Sequence, residues 1–434
     1  MKKLLLCTAM LASMGANASV FISQPVSTGL VKGQSVNDAD IGTVVGNPAN
    51  GHFIIGQQSE SKFRMGLIGS VNFGAEFGDI ESLDTELDAL NLALDVNNFT
   101  LAEANSQIDR FNTILNKTDA AFVRAGAVIE APLAPLVYQT DIGTFALDLS
   151  GGYFAKGGVV NDGITTLVNN GGGNYSINAN AGVYVQSAEA IQLGLGYSRG
   201  LYSSDFGQLS GGIKANIIDL SMRRAVVGAD MLNGADNTLT DDDLGEEVSS
   251  TDVGIDLGAT WVTSKYTAGF VIKNINEPSF DLPTLGGDCS SLAGNALDNC
   301  NAANTLVAGG DFKLSDKYVA EAQATVDTSY MITDSGSFAL NASYDLNAVD
   351  DPLGDEYQWA NVGLSYASNS AWIPAARIGL RTNTAGSELS YITAGLSLFR
   401  YVSLDLGMSN ESVKYDGSDV PRGLFANLTL RKTF

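Results

Sequence analysis

The stretch 144–153, TFALDLSGGY, alternates with a period of two: Phe145, Leu147, Leu149 and Tyr153 point one way, and Ala146, Asp148 and Ser150 the other. Successive side chains of a β-strand lie on opposite faces, so one face of this segment suits lipid and the other water. The same pattern sets Phe338, Leu340, Ala342, Tyr344 and Leu346 against Asn341, Ser343, Asp345 and Asn347. It recurs at Ile191, Leu193, Leu195 and Tyr197, at Val253, Ile255, Leu257 and Trp261, and at Val402, Leu404, Leu406 and Met408. A soluble β-sandwich alternates too. These stretches, however, come close to the roughly 9 to 11 residues that a tilted strand needs to cross a bilayer.

The ends of the chain point the same way. Lys2 and Lys3, the apolar run Leu4 to Met14 and the small-x-small triplet Ala16-Asn17-Ala18 read as a signal peptide, residues 1–18, cleaved before Ser19 after Sec-type export. Cys7 lacks the small residue before it that a lipoprotein signal requires, so it leaves with the signal. No later run of 18 apolar residues exists, which excludes a helical membrane span. At the other end the alternation Leu424, Ala426, Leu428, Leu430 runs out to Phe434. An aromatic last residue on such a strand resembles the sorting signature of bacterial outer-membrane barrels, although Lys432 stands where a second apolar residue is usual.

The expected fold is therefore all-β: a transmembrane antiparallel β-barrel of residues 61–434, about 14 strands within a range of 12–16. Sixteen stretches read as strands, among them 174–187, 190–202 and 304–314. Sixteen would hang the two long acidic segments, 222–250 and 276–303, into the periplasm. Removing one strand before 222 and one after 303 gives fourteen and moves both outside, where long loops belong. One insertion, 80–117, follows a helical period instead. Ile80, Leu83, Leu87, Leu90 and Leu94 form one apolar stripe, and Leu101, Ala104, Ile108, Phe111 and Leu115 a second. Asn97-Asn98 breaks them into a helical hairpin, and Thr100 with Glu103 makes a capping box for the second helix.

The residues that could carry chemistry are few. The 434-residue chain has 48 acidic and 24 basic side chains, and loss of Lys2 and Lys3 leaves a formal charge of −26. Such an excess argues against nucleic acid as a partner, because phosphate contacts need clustered Lys and Arg. One histidine, His52, has no local nucleophile motif beside it, so no enzyme, catalytic residue or cofactor is expected. Cys289 and Cys300, an even pair in an exported chain, read as a disulfide within an external loop. The run Asp236, Asp241, Asp242, Asp243, Glu246 and Glu247 lacks EF-hand spacing and reads as a solvated loop, so no metal is assigned. Inward-facing positions are mostly Ser, Asn, Gly and Asp, with Arg377 and Arg381 on one strand, so an apolar site is expected from the N-terminal segment and loops.

Three blocks carry a family resemblance. Thr28-Gly29 and Gly46-Asn47-Pro48-Ala49-Asn50 precede the first long strand, and the latter resembles the Asn-Pro-Ala element of the plug in the outer-membrane long-chain fatty-acid transporter superfamily. The block Val253 to Phe280, VGIDLGATWVTSKYTAGFVIKNINEPSF, resembles that superfamily's Asp-Leu-Gly-Ala strand and Asn-x-x-x-Pro exit. FALNASYDLN at 338, QWANVGLSYA at 358 and ARIGLRTN at 376 resemble its conjugal-transfer TraF-type branch most. The resemblance implies that residues 19–60 fold back as a lumenal plug, with its turn at Asn47, Pro48 and Ala49, and that small hydrophobic molecules pass it. Pro48 fixes φ and keeps Asn47 out of the helix, so the turn is locally stiff. The helical hairpin has no counterpart in the fatty-acid transporters. A second reading therefore stands: a structural or assembly protein of the outer membrane linked to conjugal plasmid transfer, with cell-envelope or conjugation proteins as partners. Outer-membrane lipid is a partner in both.

Overall fold

The computed structural model describes residues 31, 41–55, 62–66, 69–78, 98–118, 121–131, 134–228, 245–309, 317–333, 337–367, 372–399, 401–415 and 418–430. The signal peptide, the first stripe of the helical hairpin, most of the acidic run and Phe434 lie outside them.

Fourteen antiparallel strands close on themselves. They are β1 (Ser70–Phe77), β2 (Phe122–Glu130), β3 (Thr144–Gly171), β4 (Asn174–Ser204), β5 (Gly207–Gly228), β6 (Val248–Val262), β7 (Tyr266–Lys273) and β8 (Gln323–Met331). The ring continues through β9 (Phe338–Asp345), β10 (Trp359–Tyr366), β11 (Ala375–Asn383), β12 (Ser390–Leu398), β13 (Val402–Ser409) and β14 (Gly423–Leu430). Each pairs with its neighbours in the chain except that β14 returns to β1, Ser70 opposite Thr429 and Glu76 opposite Gly423. That last pairing leaves the ring without an edge, the condition for a sheet to stand in lipid. A short pair, Phe63–Met65 with Leu136–Gln139, continues the wall beside β3.

The alternation sorts as the sequence demands. Phe145, Leu195, Val253, Leu340, Leu404 and Leu428 are exposed on the outside, while Asp148, Asp256, Asn341, Asp405 and Asn427 are buried on the inside. An apolar belt around a closed barrel with polar walls is the architecture of a bacterial outer-membrane span. Among the described residues no helix is long and apolar enough to cross a membrane.

Two strand assignments change. The stretches 174–187 and 190–202 are one strand, β4, because inward positions Gln186, Ala188, Ala190 and Gln192 keep parity across the join. The stretch 304–314 is helical as far as Gly309, within the helix Asn295–Gly309. Ala303 and Leu306 of that helix pack on Val226 of β5, and a short apolar run cannot by itself tell helix from strand. With these two removed, the count is fourteen.

The three longest connections leave from the same end: 78–121, 229–247 and 274–322 follow odd strands, as do 346–358 and 410–422, while turns such as 205–206 and 263–265 join even strands; the connection 131–143 after β2, which carries Leu136–Gln139, is the long one at the opposite end. At the end of the three longest connections β3 and β4 outrun the barrel. β4 has 31 residues, a length of about 100 Å if straight, and the tip turns at Gly171, Gly172 and Gly173 with φ of 86°, 66° and 86°, values open to glycine without strain. Beside this ribbon lies α1 (Leu101–Thr118), tied by the bridge between Phe99 and Tyr175. Its start is the capping box: the Thr100 amide donates to Glu103 Oε2 at 2.9 Å and the Glu103 amide to Thr100 Oγ1 at 3.4 Å.

Candidate functional site

Two pieces of chain pack against inward-facing residues of the strands. The first is N-terminal: the helical turn Thr43–Gly46, the 3-10 turn Pro48–Asn50 and the turn Gly51–Ile54. Asn47 caps the middle turn, its Oδ1 accepting from the Ala49 amide at 3.0 Å, with Pro48 at the first position where a missing N–H costs nothing. The Asn47 amide group donates to the Ala259 carbonyl, the Thr260 hydroxyl and the Phe270 carbonyl, each at 3.3 Å. Ser210 donates to the Ala49 carbonyl at 2.8 Å, and Thr260 to Asn50 Oδ1 at 2.8 Å. The turn therefore seats on the inner faces of β5, β6 and β7. Gly258 is what admits it, since a Cβ there would collide with the Asn47 amide.

Next to this seat, toward the long connections, Lys214 of β5 is buried between Asp148 of β3, 2.9 Å away, and the Val45 carbonyl at 3.4 Å. Ile41, Val44, Val45, Ile54 and Ile55 pack together with Val137 of the wall. His52 lies against Gly200 and edge-on to Phe53, ring centroids 5.2 Å apart. Its burial holds the imidazole below the ordinary range, which keeps it neutral at physiological pH.

The second piece is the connection between β9 and β10. Val349–Asp350 pairs with Glu356–Tyr357, and the turn between them dips into the barrel. Leu353 enters a buried apolar cluster with Val128, Phe154, Ala188, Ala190, Ile218, Leu220 and Met222 of the walls and Phe280 and Tyr318 of the 274–322 connection. Beside it, Tyr357, Trp359, Leu389, Tyr391 and Phe425 form a buried aromatic group, with the Arg381 guanidinium 3.7 Å above the Trp359 ring, a cation–π geometry. Arg124 joins this region to the turn through Asp351, Asp355 at 3.4 Å and Glu76 at 3.6 Å.

The sequence reading brought Asn47, Pro48 and Ala49 forward, and these three sit together on the wall. Cys289 and Cys300 are joined in the structure, Cα atoms 5.8 Å apart, tying the 3-10 turn Cys289–Ser291 of the 274–322 connection to α2, Asn295–Gly309, which contains Cys300. Under non-reducing mass mapping a single linked peptide pair is expected; two alkylatable thiols in the native protein would contradict it. The N-terminal segment and the connections supply apolar residues as expected, but in the cluster around Leu353 strands β2 to β5 supply seven of the eleven. Cutting β4 in two hid this: Ala188 and Ala190 at the join keep the inward parity of a continuous strand. Nor did any motif mark Arg124, Asp351 or Asp355, which meet only through the fold. Among the described residues no group of three His, Cys, Asp or Glu is set to hold a metal ion.

Comparisons with known proteins bear on the family. No curated protein matches the chain. Among solved structures, the CymD monoaromatic hydrocarbon channel is similar with a TM-score of 0.46 and 14% identity, over 96% of this chain and 99% of that one. A Pseudomonas aeruginosa FadL homologue gives 0.44 and 13%, over 96% and 99%. The Ralstonia pickettii toluene transporter TbuX gives 0.42 and 13%, over 94% and 98%. The family described as "F plasmid transfer operon, TraF, protein" matches residues 44–345, from the lumenal turn to the end of β9. Matched over well more than half its length, the chain belongs to this TraF family.

Proposed function

We propose that the chain is a plugged outer-membrane channel for small hydrophobic molecules, in which the segment around Asn47-Pro48-Ala49 controls passage. The observation that supports it is the seat of that turn: three donor contacts from one asparagine amide, on a wall where a glycine leaves room for it. A segment held in a lumen by a few polar contacts can be loosened without opening the ring, whose stability resides in closed strand pairing. The apolar and aromatic clusters above the seat give a hydrophobic solute surfaces to follow.

The test is Asn47→Ala combined with Pro48→Gly in lipid vesicles. Heat modifiability should stay that of the parent, and uptake of a hydrophobic dye and of a fatty acid should rise severalfold. Equal rates in variant and parent, with a parent that passes neither, would favour the second reading: an envelope anchor for conjugal transfer. That reading draws support from the transfer-operon description of the family and from the ribbon of β3 and β4 with α1 standing beyond the barrel.

A further inference from the structure

A glycine inside a strand gives up side-chain packing, and it is found where another stretch of backbone comes close. Two directly opposed glycine pairs on the inner faces of the strands do this for the N-terminal segment. Gly212 of β5 stands opposite Gly258 of β6. A Cβ on Gly212 would lie 2.5 Å from the Ala49 amide nitrogen, and one on Gly258 would strike the Asn47 amide. Gly363 of β10 stands opposite Gly379 of β11. A Cβ on Gly363 would lie 2.5 Å from the Val31 carbonyl oxygen, and one on Gly379 3.1 Å from the same atom. Val31 is buried. Not every inward glycine pair receives this segment: opposite Gly74 of β1, a Cβ on Gly126 of β2 would meet the Phe154 ring of the wall instead.

The two pairs are far apart around the ring and level along it. From β5 to β10, and from β6 to β11, is five steps in a ring of fourteen strands, with β7, β8 and β9 between on the shorter way round. Gly212 stands five residues after Gly207, Gly258 four before Val262, Gly363 three before Tyr366 and Gly379 four after Ala375. All four are counted from the strand ends opposite the three longest connections, so the pairs share a depth.

We propose that Gly363 and Gly379 are positioning residues for the N-terminal segment: a second seat that, with the one at Gly212 and Gly258, pins the segment at two points across the barrel interior. The first seat adds hydrogen bonds from the Asn47 amide. The second works by fit, because a side chain at 363 would take the place of the Val31 carbonyl. Seating at Val31 is a property of the chain alone; its bearing on passage rests on the channel reading.

The experiment places one reporter thiol, Val31→Cys or Val45→Cys, in the full chain in lipid vesicles and follows maleimide labelling. Both positions are buried, at 1% and 7% exposure, so both thiols should label slowly in the parent. Adding Gly363→Ala should speed labelling at 31 about tenfold, the scale expected when a methyl is forced into an occupied site, and leave 45 unchanged. Gly407→Ala on β13, where the nearest described neighbours of a Cβ are the Thr393 and Phe425 side chains, should change neither, and heat modifiability should report a folded barrel in both variants. Fast labelling at 31 in the parent would overturn the proposal, and that measurement needs no glycine variant to fold. Equal rates in parent and Gly363→Ala, the same acceleration from Gly407→Ala, or an equal acceleration at 31 and 45 would overturn it too. Dye uptake measured alongside separates the two claims. Release at 31 with uptake no higher than the parent's refutes the channel and leaves the seat standing, whereas uptake raised by loosening Asn47 and Pro48, with labelling at 31 indifferent to Gly363→Ala, keeps the channel and removes the seat.

Discussion

Replacing Arg124 with alanine should cost about 3–5 kcal/mol of folding stability, the scale seen when one member of a buried ion pair is removed and its partners stay behind. The guanidinium is buried and is the cation shared by Glu76, Asp351 and Asp355. Without it, the three carboxyls keep Lys156, which reaches Asp355, and the charge of Arg381 acting on Glu76. Ionised carboxylates held in such a site pay a desolvation penalty that the turn amides on Asp351 and the Tyr391 hydroxyl on Glu76 offset only in part. Arg124→Lys should recover part of the loss, since an ammonium restores charge but not the fork that reaches three partners. The measurement is the urea midpoint for refolding into lipid vesicles. A shift equivalent to under about 1 kcal/mol would mean that lumenal water screens the cluster as it screens surface pairs.

Arg124 also marks the boundary of what the sequence discloses. A barrel wall has two faces with opposite solvents, so parity alone sorts Leu340 from Asn341 and Leu404 from Asp405, and closure needs an even count that the loop lengths help choose. Local chemistry shows through as well: Thr100 and Glu103 form the cap that their spacing announces. Two failures have one cause. Ala188 and Glu189 look like a break because neither favours a strand, yet Ala188 is buried in the cluster around Leu353, a contact supplied from far along the chain. Leu306 and Val307 look like a strand because the β5 surface that receives their helix is far away in the chain. Arg124 and Asp351 are 227 residues apart. Their inward placement follows from alternation and loop position, but their meeting depends on which connection folds into the lumen, a tertiary choice that no local pattern encodes.

Leu380→Arg should destabilise the barrel by about 2–4 kcal/mol, the cost of a lipid-facing arginine near the bilayer midplane. Leu380 lies near the centre of β11, half exposed at 54%, with outward neighbours Val362 and Ile392 on the flanking strands. The next residue along the strand is Arg381, 2% exposed. One step along the backbone reverses the face, so this arginine lies inside, its guanidinium over the Trp359 ring and 5.7 Å from the centre of the Phe425 ring. The two positions share strand, depth and backbone geometry and differ only in the medium they meet. A guanidinium at 381 exchanges water for aromatic faces and a polar wall; at 380 it would meet acyl chains that offer no acceptor, and it could only snorkel toward an interface several residues away. The control is Leu398→Arg, also outward but at the strand end beside the short turn at Phe399 and Tyr401, where the expected cost falls to about 0–1 kcal/mol. Refolding midpoints of the two variants in the same vesicles decide it. Equal penalties at 380 and 398 would place the hydrocarbon elsewhere on the barrel, and a neutral Leu380→Arg would mean that this face of β11 is covered by protein or water.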